Sequence, residues 1–386
     1  MTQDSHTEIT KTSWISRLGG AFKGMIVGLI FFLISFPLLF NNEGRAVKTH
    51  KTLQDGLAKV STVTSEQVDS RFEGRLVHMN GKVVTNDRLT DLEFGVTTNA
   101  IKLKRIVSMY QWHEQSQSST KKKVGGGTET ETTYSYRKDW SNRLIKSENF
   151  KMPGGHRNPH TMPYQSTTYK AEQAEVGAFR LTPSLIDKMS NYTPLRVSSV
   201  NFRSWHSGKR VRIHNGAYYI GTNPDAPEIG DLRISFKEVK PGFVSIVAKQ
   251  VNNSFAPYKS KTGKYIEMLR TGVTSSDVMF DAAEQSNKVT TWLLRLAGFF
   301  LMFVGLRIII KPLSVFADVL PILGNIVGAG TGIISFLIAL VLSVLTIGLA
   351  WFFYRPLYGL LLVVLAVILI FLISKKLKKA QAVSST

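Results

Sequence analysis

The sequence predicts an α-helical membrane protein with four spans and a large α+β, strand-rich extracytoplasmic domain. Three observations carry that prediction. Long apolar runs are confined to 24–40 and to the chain beyond Trp292. The stretch between them, 41–290, is polar, charged and punctuated by Gly and Pro, with apolar residues alternating in the strand period. Basic residues gather at the ends of the apolar runs, where a bilayer would place them.

Residues 1–23 read as a cytoplasmic N-terminal tail, with Lys11, Arg17 and Lys23 ahead of the first span. Residues 24–40 are 17 uncharged positions rich in Ile, Phe and Leu, near the lower length for a transmembrane helix. A signal peptide is the competing reading, but no small-residue cleavage site follows, which favours an uncleaved anchor. The second span is placed at 291–311. Arg295 and Arg307 stand one turn from its two ends, so each can extend its methylene stem toward an opposite interface.

From Val319 to Tyr354 the chain has 36 uncharged residues, more than one upright helix needs to cross about 30 Å of hydrocarbon. This predicts a bend: an interfacial or re-entrant segment at 312–325, then a third span at 326–349. Trp351, Phe352, Phe353 and Tyr354 form an aromatic interface band, Arg355-Pro356 breaks the helix, and 357–373 crosses once more. A basic tail, 374–386, carries Lys375, Lys376, Lys378 and Lys379. Four spans put both termini on one side, and the positive-inside rule makes that side cytoplasmic. Residues 41–290 then form the extracytoplasmic, or lumenal, domain. Asp318 is expected to pair with Arg307 or Lys311 near the inner interface.

Within that domain, Arg75–Val84, Ile101–His113 and Thr132–Trp140 are expected strands. Glu114–Glu131, with three lysines and Gly125-Gly126-Gly127, reads as a long mobile hairpin loop. Thr182 caps a short helix to about Met189 with Pro183 at its first position. Arg212–Ile220, Leu232–Glu238 and Phe243–Val251 are further strands, the last two read as a hairpin through Pro241-Gly242. Ser276–Thr291 is expected as a helix leading into the second span.

The absence of cysteine excludes disulfides, thiolate metal sites and cysteine nucleophiles. The formal net charge is +21, but 41–290 holds 37 basic against 24 acidic residues, a net +13 over a large surface. No nucleic-acid-binding motif accompanies that charge, so no nucleic-acid partner is expected. His156 and His160 have helical metal-ligand spacing, but Gly154-Gly155 and Pro159 argue for a loop. No Gly-x-Ser-x-Gly elbow occurs. No catalytic, metal or cofactor site is therefore expected, and the chain reads as a non-enzyme. Arg295, Arg355, Arg307, Lys311 and the tail lysines stand as lipid-headgroup or topology anchors.

Several local motifs then align with one family. Asn42-Glu43-Gly44-Arg45-Ala46, Glu73-Gly74-Arg75-Leu76-Val77-His78, Met109-Tyr110-Gln111-Trp112, Thr133-Tyr134-Ser135-Tyr136, Ile186-Asp187-Lys188, Gly230-Asp231-Leu232-Arg233 and Tyr354-Arg355-Pro356-Leu357 resemble the transmembrane protein 43 family, in order and with similar spacing. The resemblance runs from about Gly20 to Ile373. It implies four spans with a lumenal domain between the first two. For animal members it implies residence in the endoplasmic reticulum and inner nuclear membrane, oligomerisation, and nuclear-envelope organisation with emerin and lamins. It supplies no catalytic residue. The lack of cysteine departs from the animal pattern and points to a bacterial relative in an inner membrane, for which lamina partners would not carry over.

The expected function is a non-catalytic membrane scaffold that self-associates as a homo-oligomer and organises lipids or other membrane proteins. A lipid-handling or transport component is the alternative, and an envelope hydrolase the third.

Overall fold

The structure, a computed structural model, describes residues 4–200, 205–206 and 209–357. The chain divides into two compact units. One comprises Met1–Ile9, Gln54–Ser119 and Glu131–Asp281; the other comprises Thr10–Leu53, Thr120–Thr130 and the chain from Ala282 onward.

The first unit is strand-rich, and two sheets carry it. Its longer strands are β1 (Ser5–Thr12), β2 (Leu76–Val84), β3 (Lys102–Lys122), β4 (Thr128–Ser141), β5 (Lys209–His214), β6 (Ala217–Ile220), β7 (Leu232–Val239) and β8 (Gly242–Val251). One sheet runs β1-β4-β3-β7-β6-β5 with short strands at its margins; the other is built around β2 and β8. Each sheet has its own core. Phe94, Leu103, Val107, Tyr218, Ile234 and Phe236 pack against the first. Val77, Met79, Ile101, Phe179, Leu185 and Ile246 pack against the second, under α2 (Pro183–Lys188). The Thr182 side chain caps α2 by accepting from the Leu185 amide, as the Thr-Pro spacing predicted.

Three expectations change here. β7 and β8 are strands within a residue of the expected bounds, but Pro241-Gly242 does not close a hairpin between them. β7 pairs with β3 and β6, while β8 pairs with β2 and with Met268–Thr271 in the other sheet. Both strands are paired along both edges within their own sheets, so neither has a free edge for the other, and Val244–Ala248 is buried continuously in the second sheet. The expected strand 212–220 is a hairpin of β5 and β6, turned at Asn215-Gly216, both with positive φ. Residues 5–12, expected as part of a tail, form β1 alongside β4.

The second unit contains the long helices α1 (Trp14–Leu57), whose last turn joins the first unit, α3 (Ser276–Ala317) and α4 (Pro321–Tyr354). All three are long and apolar enough to cross a membrane. The fourth expected span, 357–373, and the tail lysines lie outside the described residues, save Leu357. The helices overrun the expected spans, because hydropathy marks where a helix meets hydrocarbon and not where it ends. α1 alone has 44 residues and is about 66 Å long. Its neighbours approach closely at glycine: a side chain at Gly28 or Gly305 would strike the facing helix backbone within 3 Å. Leu39, Met302, Leu306 and Ala339 are buried between the three helices, flanked by Phe32, Phe36, Phe299 and Phe303.

Over 312–325, expected as an interfacial or re-entrant segment, the chain is helix, turn and helix. α3 continues through Pro312 to Ala317, the chain turns over Asp318–Leu320, and α4 starts with Pro321 at its first position. The expected break within the 36-residue uncharged run is not found; nearly all of it forms one continuous 34-residue helix, about 51 Å long.

Candidate functional site

Two polar constellations stand out in the helical unit, one toward each end of the helices.

The first explains the run Asn42-Glu43-Gly44-Arg45 residue by residue. Glu43 is fully buried, and its carboxylate accepts from Arg295 Nε at 2.7 Å and Nη2 at 2.8 Å, and from Trp351 Nε1 at 2.8 Å. The Arg295 guanidinium lies over Trp292 at 4.7 Å and Trp351 at 5.7 Å, and Arg355 stacks on the Trp351 ring at 5.7 Å. Asn42 donates to the Thr291 carbonyl, and Arg45 reaches the side chains of Asn42, Asn287 and Thr291. Gly44 is required for a different reason: a Cβ there would meet the Tyr354 ring at 2.6 Å. Four consecutive residues thus tie α1 to α3 and α4. A buried carboxylate holds its charge only with such partners, and here it has three donors.

The second constellation gathers at the α3–α4 turn. The buried Asp318 receives Lys122 at 2.6 Å on one oxygen and Arg17 on the other. Arg17 also donates to the Gly126 carbonyl, Trp14 Nε1 donates to the Val315 carbonyl at 2.8 Å, and the Gly125 amide donates to Val319. Gly125 and Gly126 both have positive φ, and a Cβ on Gly126 would meet Trp14 at 2.3 Å. The Lys-rich, Gly-rich tip is therefore docked where a mobile loop was expected. β3 and β4 also extend into that stretch, with Ser118–Thr132 and Thr120–Thr130 side-chain pairs across the strands.

This arrangement corrects two further expectations. Asp318 pairs with Arg17 and Lys122 and not with Arg307 or Lys311. Residues 120–130, expected across the bilayer from the 1–23 tail, lie against Arg17 at the same end of the helices.

The anchor residues separate accordingly. Arg295 is consumed by Glu43 and two tryptophans. Arg355 is half-buried on Trp351. Arg307 and Lys311 are exposed; Ser314 donates to the Lys311 carbonyl, but among the described residues neither charged side chain has a hydrogen bond or an ion pair.

In the strand-rich unit, His156 and His160 diverge. His156 is buried between the Met152 carbonyl and Asp4, stacked on Tyr136 at 3.7 Å, while His160 meets Glu148 on the surface. Burial and then a hydrogen bond to Glu114 push the Tyr136 phenol up to about 12. Among the described residues no group of three or more His, Asp or Glu is placed to hold a metal ion. His78 is also buried; its Nε2 donates to the Thr274 carbonyl, and Thr62 meets Nδ1. Burial lowers its pKa. Asp231, from the Gly-Asp-Leu-Arg motif, is buried under Tyr219 and the Glu228 amide, a structural role.

Long apolar helices whose buried acids, Glu43 and Asp318, are paired with basic side chains, and a strand-rich polar domain inserted in sequence between the first and second, define an integral membrane protein. The chain belongs to the transmembrane protein 43 family: the family's model matches residues 109–356. It is 36% identical to transmembrane protein 43 of Rattus norvegicus over 377 residues, covering 94% of this chain and 93% of that protein. To the Homo sapiens protein it is 35% identical over 381 residues, covering 95% and 94%. To the Drosophila melanogaster homolog it is 30% identical over 345 residues, covering 86% and 89%. These relatives are animal proteins and lend no support to a bacterial source. No solved structure matches the chain.

Proposed function

We infer that this protein is a non-catalytic membrane scaffold that self-associates and organises membrane lipids or other membrane proteins. The observation that carries this reading is the contrast between the inside and the outside of the helical unit. Inside, Glu43 and Asp318 fasten α1 to α3 and α4 with buried charge pairs. Outside, α4 exposes large apolar side chains over most of its length, including Ile322, Ile326, Ile333, Leu337, Val344 and Leu349. A frame locked by polar contacts with an apolar exterior suits holding neighbours in lipid more than turning over a substrate.

Size-exclusion with light scattering in mild detergent tests it. The expected result is more than one protomer per particle; a single protomer at every concentration overturns the self-association. A second reading, a lipid-handling or transport component, draws support from the exposed Arg307 and Lys311.

A further inference from the structure

The described part of the helical unit has four acidic side chains, and each already has a basic partner. Glu43 holds Arg295, Asp318 holds Arg17 and Lys122, Glu129 holds Lys123, and Glu284 meets His50. None is left for Arg307 and Lys311, which stand four residues apart and therefore on one face of α3, both exposed. The backbone beside them is bare. Arg307 Nη1 lies 3.7 Å from where a Cβ would stand on Gly332 of α4, and among the described residues no atom lies within 4 Å of such a position on Gly328, one turn earlier on the same face. The flanking surface is apolar and exposed at Val304, Leu313, Ile333 and Ile334.

Two unneutralised cations at the end of an apolar helix, beside a side-chain-free strip of a second helix, match one ligand chemistry. A guanidinium offers paired donors to phosphate oxygens, an ammonium adds a point charge, and the bare strip leaves width for an acyl chain. We propose that Arg307 and Lys311, with the Gly328–Gly332 face of α4, bind the phosphate of an anionic phospholipid. The site is the counterpart of the Glu43 layer, where the arginine near the other end of the same span is neutralised by protein and has no need of lipid.

The inference rests on the helices lying in a bilayer and deepens the lipid-handling reading; it does not depend on self-association. The test uses the full chain in nanodiscs of phosphatidylglycerol and phosphatidylcholine, released into native mass spectrometry. The wild-type protein should retain phosphatidylglycerol in preference to phosphatidylcholine, and excess inorganic phosphate should not displace it. Removing two surface cations at about fivefold each predicts a loss of roughly 25-fold in that preference for the R307Q/K311Q variant. R307K/K311R should keep most of it. G332L retains both charges but fills the strip, and should also lose preference. Undiminished phosphatidylglycerol retention in R307Q/K311Q overturns the proposal; should that variant not fold, undiminished retention in G332L overturns it. Displacement by inorganic phosphate would identify an anion site without lipid character and also overturns it. Light scattering on the same samples reports self-association separately, so failure of one reading is not mistaken for failure of the other.

Discussion

Replacing Glu43 with Gln should destabilise the helical unit by about 3 kcal/mol, because it leaves a largely buried arginine facing a neutral amide. The magnitude follows from the three donors. Arg295 gives two charge-assisted hydrogen bonds and Trp351 gives one, all at 2.7–2.8 Å, on a carboxylate with no solvent exposure. Breaking a buried ion pair from one side costs about 3–5 kcal/mol. Gln keeps one acceptor oxygen and belongs at the low end; Ala keeps none and belongs at the high end. Removing both charges behaves differently. In E43L/R295M no charge is stranded, only the Trp351 N–H loses its acceptor, and the expected cost is about 1–2 kcal/mol. Unfolding in mixed micelles, followed by the fluorescence of Trp292 and Trp351 beside the pair, measures all of these. A cost below about 1 kcal/mol for E43Q, or a double variant as costly as the sum of its single changes, would refute the reasoning.

Two other expectations follow from buried groups. D318N should free the hairpin tip, since Lys122 and Arg17 lose their shared carboxylate; limited trypsin digestion should then cut at Lys121–Lys123 at least tenfold faster than in the wild type, and an unchanged rate would mean the pairs do not hold the tip. His78 has a folded-state pKa below its unfolded value of about 6.5, so its neutral form is the one that folds. Stability should be full above about pH 6.5 and fall as the pH drops from there toward the depressed folded value, and H78Q should flatten that part of the profile in pH-dependent thermal unfolding.

The membrane character of the chain was legible because charge in hydrocarbon is costly, and that cost writes itself into 24–40 and 319–354 as missing Asp, Glu, Lys and Arg, and into 292–318 as only Arg295, Arg307, Lys311 and Asp318. Helix ends were not legible for the same reason. The polar continuation of α1 past Asn42 is held by Thr291 and Asn287 on α3, partners about 240–250 residues away that no local pattern announces. The Asn-Glu-Gly-Arg run was conspicuous as a motif, yet its role depends on Arg295 and Trp351. The short helix at Thr182-Pro183 was readable because an N-cap and its amide are neighbours in sequence. The Pro241-Gly242 link misled because turn chemistry reports a local change of direction, while the partners of both strands come from distant parts of the chain: β3 and β6 for one, β2 and Met268–Thr271 for the other. Asn215-Gly216 is a strong hairpin signal, and both residues take the positive φ that the β5–β6 turn needs.

The docked hairpin tip is the feature that most constrains how this protein is built, and the lack of native cysteine makes it directly testable. Single cysteines at Lys11 and Thr128 should be labelled by an impermeant maleimide from the same face of sealed vesicles, and the double variant should cross-link within the chain through a short bifunctional maleimide. Labelling of the two positions from opposite faces, with no cross-link, would contradict the account.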